Sequence, residues 1–375
     1  MSNTPIPKEV KYELWWKAAG RCEFKGCNKP LYKHGVTWDK CITAENAHII
    51  ADSEKGPRGD NELSKKLAKD EKNIMLVCRE CHKYIDHEGK DKYPATTLFE
   101  MKKRHEDRIA LLSSINEDLQ AKIVTYGARI ADQMPDLSFA QIQAALLPDF
   151  YPADDNIIDL GGNWPTNQNW DEYWKREVEN LEYNCKDKIL DKIDRWEYKR
   201  IALFGIAPMS LLVKLGTILN NKHNVEVYQK HRNDNGSWKW KQNDTHTEYI
   251  IHKPSNINKE PVLVLSLSFS ILDRIQKLKP ESSIWEMTIQ DPNPNFLQSR
   301  NQLYEFGRKV ELLLDEITKS SNWQPLHLFL SVPVACAIEF GRVWMQKANS
   351  PLMIYDLDKR VDNIDKLAII IDNKK

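Results

Sequence analysis

Two patterns of apolar and polar residues follow one another along this chain, and the change falls near residue 116. Before it, short apolar segments at residues 40–50 and 73–77 predict two strands. Amphipathic segments at residues 7–19 and 94–113 predict two longer helices, and residues 82–86 predict a short helix directly after the second strand. This part of the chain therefore predicts a small domain of the α+β class.

The remainder of the chain alternates strand-like and helix-like segments, which is typical of parallel, Rossmann-like α/β structure. Predicted strands lie at residues 121–129, 156–160, 200–206, 225–230, 261–268, 284–290, 326–332 and 351–356. Predicted helices lie at residues 170–193, 209–221, 297–317 and 335–347, and the first of them follows a turn-rich stretch at 161–165. The two patterns divide the chain into one domain at residues 1–115 and another at residues 116–375.

The second domain contains an internal repeat, because residues 201–216 align without a gap with residues 326–341. The matched pairs include Phe204 with Phe329, Pro208 with Pro333 and Gly216 with Gly341. Each copy reads as a strand, a turn with proline and a helix. The repeat predicts two similar α/β halves whose strand-to-helix turns face one crevice, where helix N-termini favour a phosphate.

The composition indicates a soluble cytoplasmic protein. Of 375 residues, 41% are hydrophobic and 29% charged, so the chain can form sizeable cores and a polar surface. No apolar run approaches the roughly 18 residues that a membrane-spanning helix needs. The first residues lack the apolar segment of a signal peptide, and seven cysteines, an odd number, suit a reducing compartment. We therefore expect no membrane partner.

The net charge of the whole chain is zero, but the charge is distributed unevenly. Residues 1–114 contain 22 Lys and Arg against 18 Asp and Glu, and the remainder contains 32 against 36. The first domain is mildly basic, which is compatible with a phosphate-rich partner such as DNA. The second domain is mildly acidic, which disfavours a module that grips DNA.

Four cysteines form two short pairs, Cys22 with Cys27 and Cys78 with Cys81, about fifty residues apart. Two such pairs are typical of one structural Zn²⁺ held by four thiolates. The other cysteines are expected to be ordinary thiols, and they are Cys41, Cys185 and Cys336.

Three polar residues beside these cysteines suit the hydrolysis of a phosphodiester. Such hydrolysis needs a base of near-neutral pKa and a divalent cation at the scissile phosphate. His48, near the end of a predicted strand, can be the base, and His82 can be a ligand of the cation. Asn73 can orient the base or brace its loop through its side-chain amide.

This arrangement resembles the zinc-stapled HNH (ββα-metal) endonucleases. The resemblance lies in Cys22-x4-Cys27, Glu45-x-x-His48-Ile49, Gly56-Pro57-Arg58-Gly59 and Asn73-Ile-Met-Leu-Val-Cys78-x-x-Cys81-His82-x-x-Ile85-Asp86. It implies that His48 is the general base, Asn73 the middle asparagine and His82 a ligand of catalytic Mg²⁺ or Mn²⁺. Many members have an aspartate ligand immediately before the first histidine, where this chain has Ala47. Glu45 is then the first candidate for the carboxylate ligand and Asp86 the second, and Arg58 is a candidate contact to a DNA phosphate.

The second domain resembles SAVED domains, which are CARF-related nucleotide sensors of bacterial CBASS antiphage systems. The likeness lies in the segments KIVTYGARIADQ and LLPDFYP and in the two copies of the repeat. It implies a pseudo-dimeric sensor for a cyclic oligonucleotide, with a cyclic dinucleotide favoured. Candidate ligand contacts at the turns and nearby strands are Pro208, Met209, Ser210, Ser266, Pro333, Val334 and Ala335, and aromatic candidates for stacking on a base are Trp238, Trp240 and Tyr355.

Together, the two resemblances imply a CBASS effector that cuts double-stranded DNA. Binding of a cyclic oligonucleotide would drive the chain into a higher-order homo-oligomer and switch on metal-dependent hydrolysis. An alternative is a restriction-type HNH endonuclease whose second domain recognises DNA. A third interpretation is a zinc-dependent DNA-binding regulator that does not cut.

Overall fold

The computed structural model of the protein describes residues 4–34, 36–88, 91–128, 137–162, 169–242, 246–358 and 364–372. Its contacts divide the chain into two compact units, Met1–Ile115 and Asn116–Lys375. Each unit has its own buried apolar core. None of the helices in these seven ranges is both long and apolar enough to cross a membrane.

The first unit is built on a two-stranded antiparallel sheet that leads directly into a helix. Strand β1 spans Ala44–His48 and strand β2 spans Ile74–Cys78, and their register pairs His48 with Ile74. The helices are α1 (Lys8–Lys17), α2 (Leu63–Leu67), α3 (Arg79–Lys83), which continues as a π-helical turn over Tyr84–Glu88, and α4 (Ala95–Ser113). Because α3 begins one residue after β2, it stays close to both strands.

Strand β2 forms the centre of this unit. Its sequence, Ile-Met-Leu-Val-Cys, is apolar at every position, and all five residues are buried. The core around the strand includes Leu14 of α1, Leu98 of α4 and Ile85. The strands predicted at 40–50 and 73–77 and the helix predicted at 94–113 are therefore confirmed, although β1 is shorter than expected.

The second unit alternates strands and helices in the predicted manner. Its strands are β3 (Gln120–Gly127), β4 (Tyr151–Pro152), β5 (Ile158–Asp159), β6 (Ile201–Ile206), β7 (Val225–Tyr228), β8 (Ile250–His252), β9 (Pro261–Ser266), β10 (Ser283–Thr288), β11 (Leu326–Ser331), β12 (Leu352–Asp358) and β13 (Ile364–Ile371). Its helices are α5 (Phe139–Leu146), α6 (Trp170–Cys185), α7 (Asp191–Asp194), α8 (Met209–Leu219), α9 (Leu272–Leu278), α10 (Arg300–Ser320) and α11 (Val334–Val343). A π-helical turn, Lys186–Leu190, joins α6 to α7.

These strands form two sheets. The first has the order β4-β3-β6-β7, with β5 paired to β3, and every one of its pairings is parallel. The second has the order β13-β12-β11-β9-β10-β8, in which the four central strands are parallel and the two edge strands antiparallel. The predicted parallel α/β architecture is confirmed for the central strands.

The internal repeat corresponds to two equivalent pieces of structure. The first copy is β6 followed by α8, and the second is β11 followed by α11. A proline precedes each helix, Pro208 for α8 and Pro333 for α11. The two repeat helices pack against each other, so the copies meet inside the unit.

Some elements were not predicted from the sequence: α5, β8, α9 and β13. They are short or lie at a sheet edge, where the hydrophobic pattern is weakest. Two predicted segments extend beyond the described residues, since the strand at 121–129 is described only to residue 128 and the turn at 161–165 only to residue 162.

Candidate metal centres and ligand crevice

The four paired cysteines converge in the first unit. Cys22 and Cys27 lie in the loop after α1, Cys78 ends β2, and Cys81 lies in α3. Their four Sγ atoms all lie within 4.8 Å of one another, and the Cys27 and Cys78 sulfurs are 3.9 Å apart. Tetrahedral coordination with Zn–S bonds of 2.3 Å requires sulfurs about 3.8 Å apart. The donor set and its spacing therefore fit one structural Zn²⁺.

The electrostatics of this cluster also favour a cation. Burial raises the pKa of the Cys22 thiol to about 12, and burial together with neighbouring thiols raises that of Cys81. Burial alone would raise the pKa of Cys78 as well, but hydrogen bonds from Cys81 and the other thiols lower it. Four thiolates this close repel one another, so a bound cation is what allows them to ionise together.

His48 is held by one specific hydrogen bond at the end of β1. Its Nε2 lies 2.8 Å from the carbonyl oxygen of Ala68, and the side chain is largely buried. A carbonyl oxygen only accepts hydrogen bonds, so Nε2 carries the ring proton. Nδ1 of His48 is therefore left with its lone pair, which is the state that a general base requires.

Asn73 forms hydrogen bonds with the backbone of the segment that follows His48. Its side-chain Nδ2 donates to the carbonyl oxygens of Ile50 (2.9 Å) and Leu67 (3.2 Å), and its Oδ1 accepts from the N–H of Ile50 (2.9 Å). Its own carbonyl oxygen accepts from the N–H of Ile49 at 2.8 Å. Asn73 therefore fixes the backbone on both sides of the loop between β1 and β2.

His82 lies between two carboxylates, Glu45 of β1 and Asp86 in the π-helical turn after α3. Nδ1 of His82 lies 2.7 Å from Oε2 of Glu45, and Nε2 lies 3.2 Å from Oδ2 of Asp86. The hydrogen bond to Asp86, followed by that to Glu45, raises the pKa of His82 although burial opposes this. Glu45 lies two residues before Ala47 and thus on the same face of β1. Carboxylates suit Mg²⁺ or Mn²⁺. Because Glu45 and Asp86 contact opposite nitrogens of the His82 ring, one ion could be bound by His82 and one of these carboxylates, not by both.

Arg58 points into the unit, and the prediction that it contacts DNA is corrected here. Its side chain is only 8% exposed. The guanidinium donates to the carbonyl oxygens of Ile49 and Ile85 and to the carboxylate of Asp86. A group engaged by three internal acceptors is not presented to a phosphate on an approaching duplex.

The two repeat helices of the second unit are capped by residues from opposite copies. At the start of α8, the N–H and hydroxyl of Ser210 donate to Oδ2 of Asp356, at 3.2 and 3.1 Å. At the start of α11, the N–H of Ala335 donates to Oε1 of Gln229 at 3.1 Å. The predicted phosphate donors Ser210 and Ala335 are therefore already engaged within the protein. Four other predicted contacts, Pro208, Met209, Pro333 and Val334, lie half-exposed or buried at these helix starts.

One of the predicted stacking residues, Trp238, lies inside the fold, which corrects its assignment. Trp238 is fully buried and packs edge-on against Phe204, with centroids 5.2 Å apart. Tyr355 stacks on Phe329 at 4.4 Å, and its hydroxyl bonds to Nδ1 of His327 at 2.8 Å. Trp238 therefore presents no free face to a base, whereas the Tyr355 side chain is only partly buried. Ser266 is also fully buried, and its Oγ accepts from the N–H of Ile271 at 3.4 Å.

Trp240 does line an open cleft. The cleft has a volume of about 390 Å³ and lies between α5, residues 239–242 and the start of α10. Lys239, Lys241 and Arg300 contribute positive charge, and Asp149 contributes one carboxylate that pairs with Arg300. This cleft is cationic although the unit as a whole is mildly acidic.

Sequence reasoning missed two features of these sites. Phe269 follows β9 with 60% of its side chain exposed, and its N–H donates to Oγ of Ser331 at 3.1 Å. The signal was an aromatic residue just beyond a buried parallel strand, where ligands commonly bind. The carbonyl of Ala68, which orients His48, could not be found, because a backbone acceptor leaves no trace in the sequence.

Comparison with protein families identifies the second unit. Residues 181–363, just under half of the chain, match the model described as "SMODS-associated and fused to various effectors sensor domain", abbreviated SAVED. This part of the chain is a SAVED domain. The match includes both copies of the repeat. Strand β3 precedes the matched residues yet pairs with β6, so the folded unit extends upstream of the SAVED match.

Solved structures give only a distant likeness. The Acinetobacter baumannii Cap4 SAVED/CARF-domain containing receptor, bound to the cyclic trinucleotide 2'3'3'-cAAA, is 15% identical, with 84% of this chain and 67% of that chain covered and a TM-score of 0.44. The same receptor with 3'3'3'-cAAA has 15% identity, coverages of 84% and 67% and a TM-score of 0.43. The Moraxella osloensis Cap4 receptor has 10% identity, coverages of 84% and 70% and a TM-score of 0.41. A comparison with curated proteins gave no match.

Proposed function

We propose that the first unit is a metal-dependent endonuclease that cuts double-stranded DNA, and that the SAVED domain senses a cyclic oligonucleotide and switches it on. The observation that carries the nuclease proposal is the state of His48. Its Nε2 proton is committed to the carbonyl of Ala68, which leaves Nδ1 basic. Asn73 secures the adjacent backbone, and His82, Glu45 and Asp86 lie in the same unit.

The roles of the protein groups follow from this arrangement. Nδ1 of His48 takes the proton from the attacking water, and the bond from Nε2 to Ala68 stabilises the imidazolium that forms. His82 would hold the catalytic cation together with one carboxylate, either Glu45 on the Nδ1 side of its ring or Asp86 on the Nε2 side. When bound, Mg²⁺ or Mn²⁺ supplies positive charge against the scissile phosphate and the leaving oxygen. Zn²⁺ on the four cysteines ties the loop after α1 to the end of β2 and the start of α3.

The sensor role rests on the SAVED match. The family is one of sensor domains fused to various effectors, which fits a first unit with its own core and candidate chemistry. A switch requires that the ligand bind the active state more tightly than the resting state. We propose that the active state is a higher-order homo-oligomer of this chain. The Acinetobacter baumannii Cap4 receptor was solved with cyclic trinucleotides, so we include trinucleotides in the test beside the favoured dinucleotides.

The deciding experiment is plasmid cleavage with Mg²⁺ or Mn²⁺, with and without a panel of cyclic di- and trinucleotides. We expect cutting only with an activating ligand, and a loss of about 10²–10⁴-fold in His48→Ala, the range typical of a general base. His34→Ala is the matched control, because His34 is exposed and bonds only within its own loop. Light scattering should detect assembly with the same ligand.

The other outcomes separate the alternatives. Cutting that needs no cyclic nucleotide would favour a restriction-type enzyme whose second unit recognises DNA. DNA binding without cutting, unchanged by His48→Ala, would favour a zinc-dependent regulator.

A further inference from the structure

We propose that Arg58 is the positioning residue that couples the strand carrying His48 to the helix carrying His82 and Asp86. This inference rests on the proposed nuclease function and adds a residue to it. Arg58 lies in the loop after β1, in the left-handed backbone region with φ of 55°. An arginine side chain buried this deeply must repay its desolvation through specific contacts.

The first contact joins Arg58 to the strand of the base. Nε donates to the carbonyl oxygen of Ile49 at 2.6 Å, and Ile49 directly follows His48. The N–H of the same Ile49 donates to the carbonyl of Asn73. The segment after His48 is therefore held by Arg58 and Asn73 together, and a shift of either would move the imidazole.

The other two contacts join Arg58 to the helical segment. Nη1 donates to the carbonyl oxygen of Ile85 at 2.8 Å, and Nη2 donates to Oδ1 of Asp86 at 2.6 Å. The second carboxylate oxygen of Asp86, Oδ2, faces Nε2 of His82 at 3.2 Å. Arg58 thus occupies one oxygen of Asp86 and directs the other toward Nε2 of His82, in the manner of outer residues that orient metal ligands.

The shape of the loop supports this role. A Cβ added to Gly59, the neighbour of Arg58, would lie 2.4 Å from the carbonyl oxygen of Glu54, so the loop closes tightly on itself. A rigid loop presents the guanidinium in one orientation. Only arginine offers a planar fork that reaches three acceptors at once, and lysine would keep the charge but lose most of the contacts.

The test compares Arg58→Gln and Arg58→Lys with the wild-type protein, with Arg104→Gln as control because Arg104 is exposed on α4. Binding of Mn²⁺ to the full chain is measured by electron paramagnetic resonance, independently of cleavage. Zinc content and thermal unfolding report on the fold. The cysteine cluster does not interfere, since four thiolates prefer Zn²⁺ to Mn²⁺.

We expect Arg58→Gln to keep its zinc and to bind Mn²⁺ about 10–100-fold more weakly, the usual effect of removing an outer partner. Cleavage should fall by a similar factor, with half-saturation at a higher Mn²⁺ concentration. The Mn²⁺ affinity of Arg58→Lys should lie between those of Arg58→Gln and the wild type.

Unchanged Mn²⁺ binding in folded Arg58→Gln would overturn the inference. So would a wild-type protein that binds no Mn²⁺ beyond the zinc site. If Arg58→Gln loses its fold, Arg58→Lys decides: wild-type Mn²⁺ binding there rejects the inference. Wild-type Mn²⁺ binding without any DNA cleavage would instead reject the proposed nuclease.

Discussion

Gly216 of α8 and Gly341 of α11 meet at the crossing of the two repeat helices, and the contact is reciprocal. A Cβ added to Gly216 would lie 2.1 Å from the carbonyl oxygen of Ile338, and one added to Gly341 would lie 2.0 Å from that of Val213. Val213 and Ile338 occupy matched positions of the repeat, as do the two glycines. Each copy therefore makes the same contact to the other.

The reciprocity extends to aromatic pairs and helix caps. Phe204 stacks on Tyr228 with centroids 4.5 Å apart and planes 16° apart, and Phe329 stacks on Tyr355 at 4.4 Å and 19°. Asp356, which follows Tyr355, accepts a hydrogen bond from the start of α8 in the first copy. Gln229, which follows Tyr228, accepts one from the start of α11 in the second copy. The caps differ chemically, since Asp356 ends in a carboxyl group, whose pKa burial raises, and Gln229 ends in an amide. The two copies are thus similar in backbone but chemically different at these helix starts.

The helix crossing gives a stability prediction. Gly216→Ala or Gly341→Ala should destabilise the second unit by about 1–3 kcal/mol or more, because the new methyl group meets a backbone carbonyl that cannot move aside. Thermal unfolding of the two variants measures this. Because both glycines lie at one crossing, the double variant should cost less than the sum of the single ones.

Gly307→Ala on α10 is the control for that experiment. Its added Cβ would meet the flexible side chain of Glu339 at 3.2 Å, so the cost should be small and offset by the higher helix propensity of alanine. Wild-type stability in both crossing variants would contradict the close helix contact.

The cysteine cluster predicts one Zn²⁺ per chain, which mass spectrometry of the purified protein can count. Cys78→Ser should lose the metal and unfold the first unit at a lower temperature, because binding of a structural zinc is part of the folding free energy. The transition of the second unit should not change. Cys41→Ser, an exposed cysteine outside the cluster, is the matched control. A Cys78→Ser protein that keeps its zinc would show that the metal is held elsewhere.

The sequence predicted those features that leave a pattern in residue type. A parallel strand such as β6 is a continuous apolar run, the repeat is a direct match of residues, and the zinc ligands are paired cysteines. Each of these depends on residues close together in the chain. That is why most strand and helix positions were correct within a few residues.

The direction in which a side chain points was much harder to predict. Trp238 and Phe269 are both aromatic residues outside the strands and helices, yet one is fully buried and the other mostly exposed. Arg58 reads as a loop arginine, but its acceptors come from residues 49, 85 and 86, which only the folded chain brings together. Tertiary contacts determine whether such a side chain is buried or exposed, and the periodicity of a single sequence does not reveal those contacts.

Glu177 of α6 gives a pH prediction. Burial raises the pKa of its carboxyl group to about 7. The folded state therefore prefers the protonated form, and stability falls as pH rises from the ordinary carboxyl range toward 7, where the buried group must ionise. Glu177→Gln should remove this loss, so its melting temperature should exceed that of the wild type at pH 8 and equal it near pH 4.5. Each kcal/mol corresponds to about 2–4 °C in a domain of this size.

Glu179→Gln is the matched control for that titration, because Glu179 lies on the same helix but is exposed. Glu179→Gln should change the melting temperature by the same small amount at pH 4.5 and at pH 8. An equal response of the two variants at pH 8 would show that burial of Glu177 does not govern the effect.

Phe269 is the exposed aromatic ring that we expect to stack on a base of the cyclic oligonucleotide. Two hydrogen bonds hold the loop that carries it against the end of β11: the N–H of Ser268 donates to the carbonyl of Ser331 at 2.7 Å, and the N–H of Phe269 donates to its Oγ. The ring therefore lies beside the carboxyl ends of β9 and β11. Because the loop is already held in place, binding a ligand should cost little conformational entropy there.

Phe269→Ala should weaken binding of the activating ligand by about 1–3 kcal/mol, and Phe269→Trp should restore it. Trp196→Ala, which removes a more exposed ring outside the strand ends, is the control for calorimetry with the ligand. If Phe269→Ala binds as tightly as the wild type, the ligand lies elsewhere, and the cationic cleft beside Trp240 and Arg300 becomes the site to mutate next.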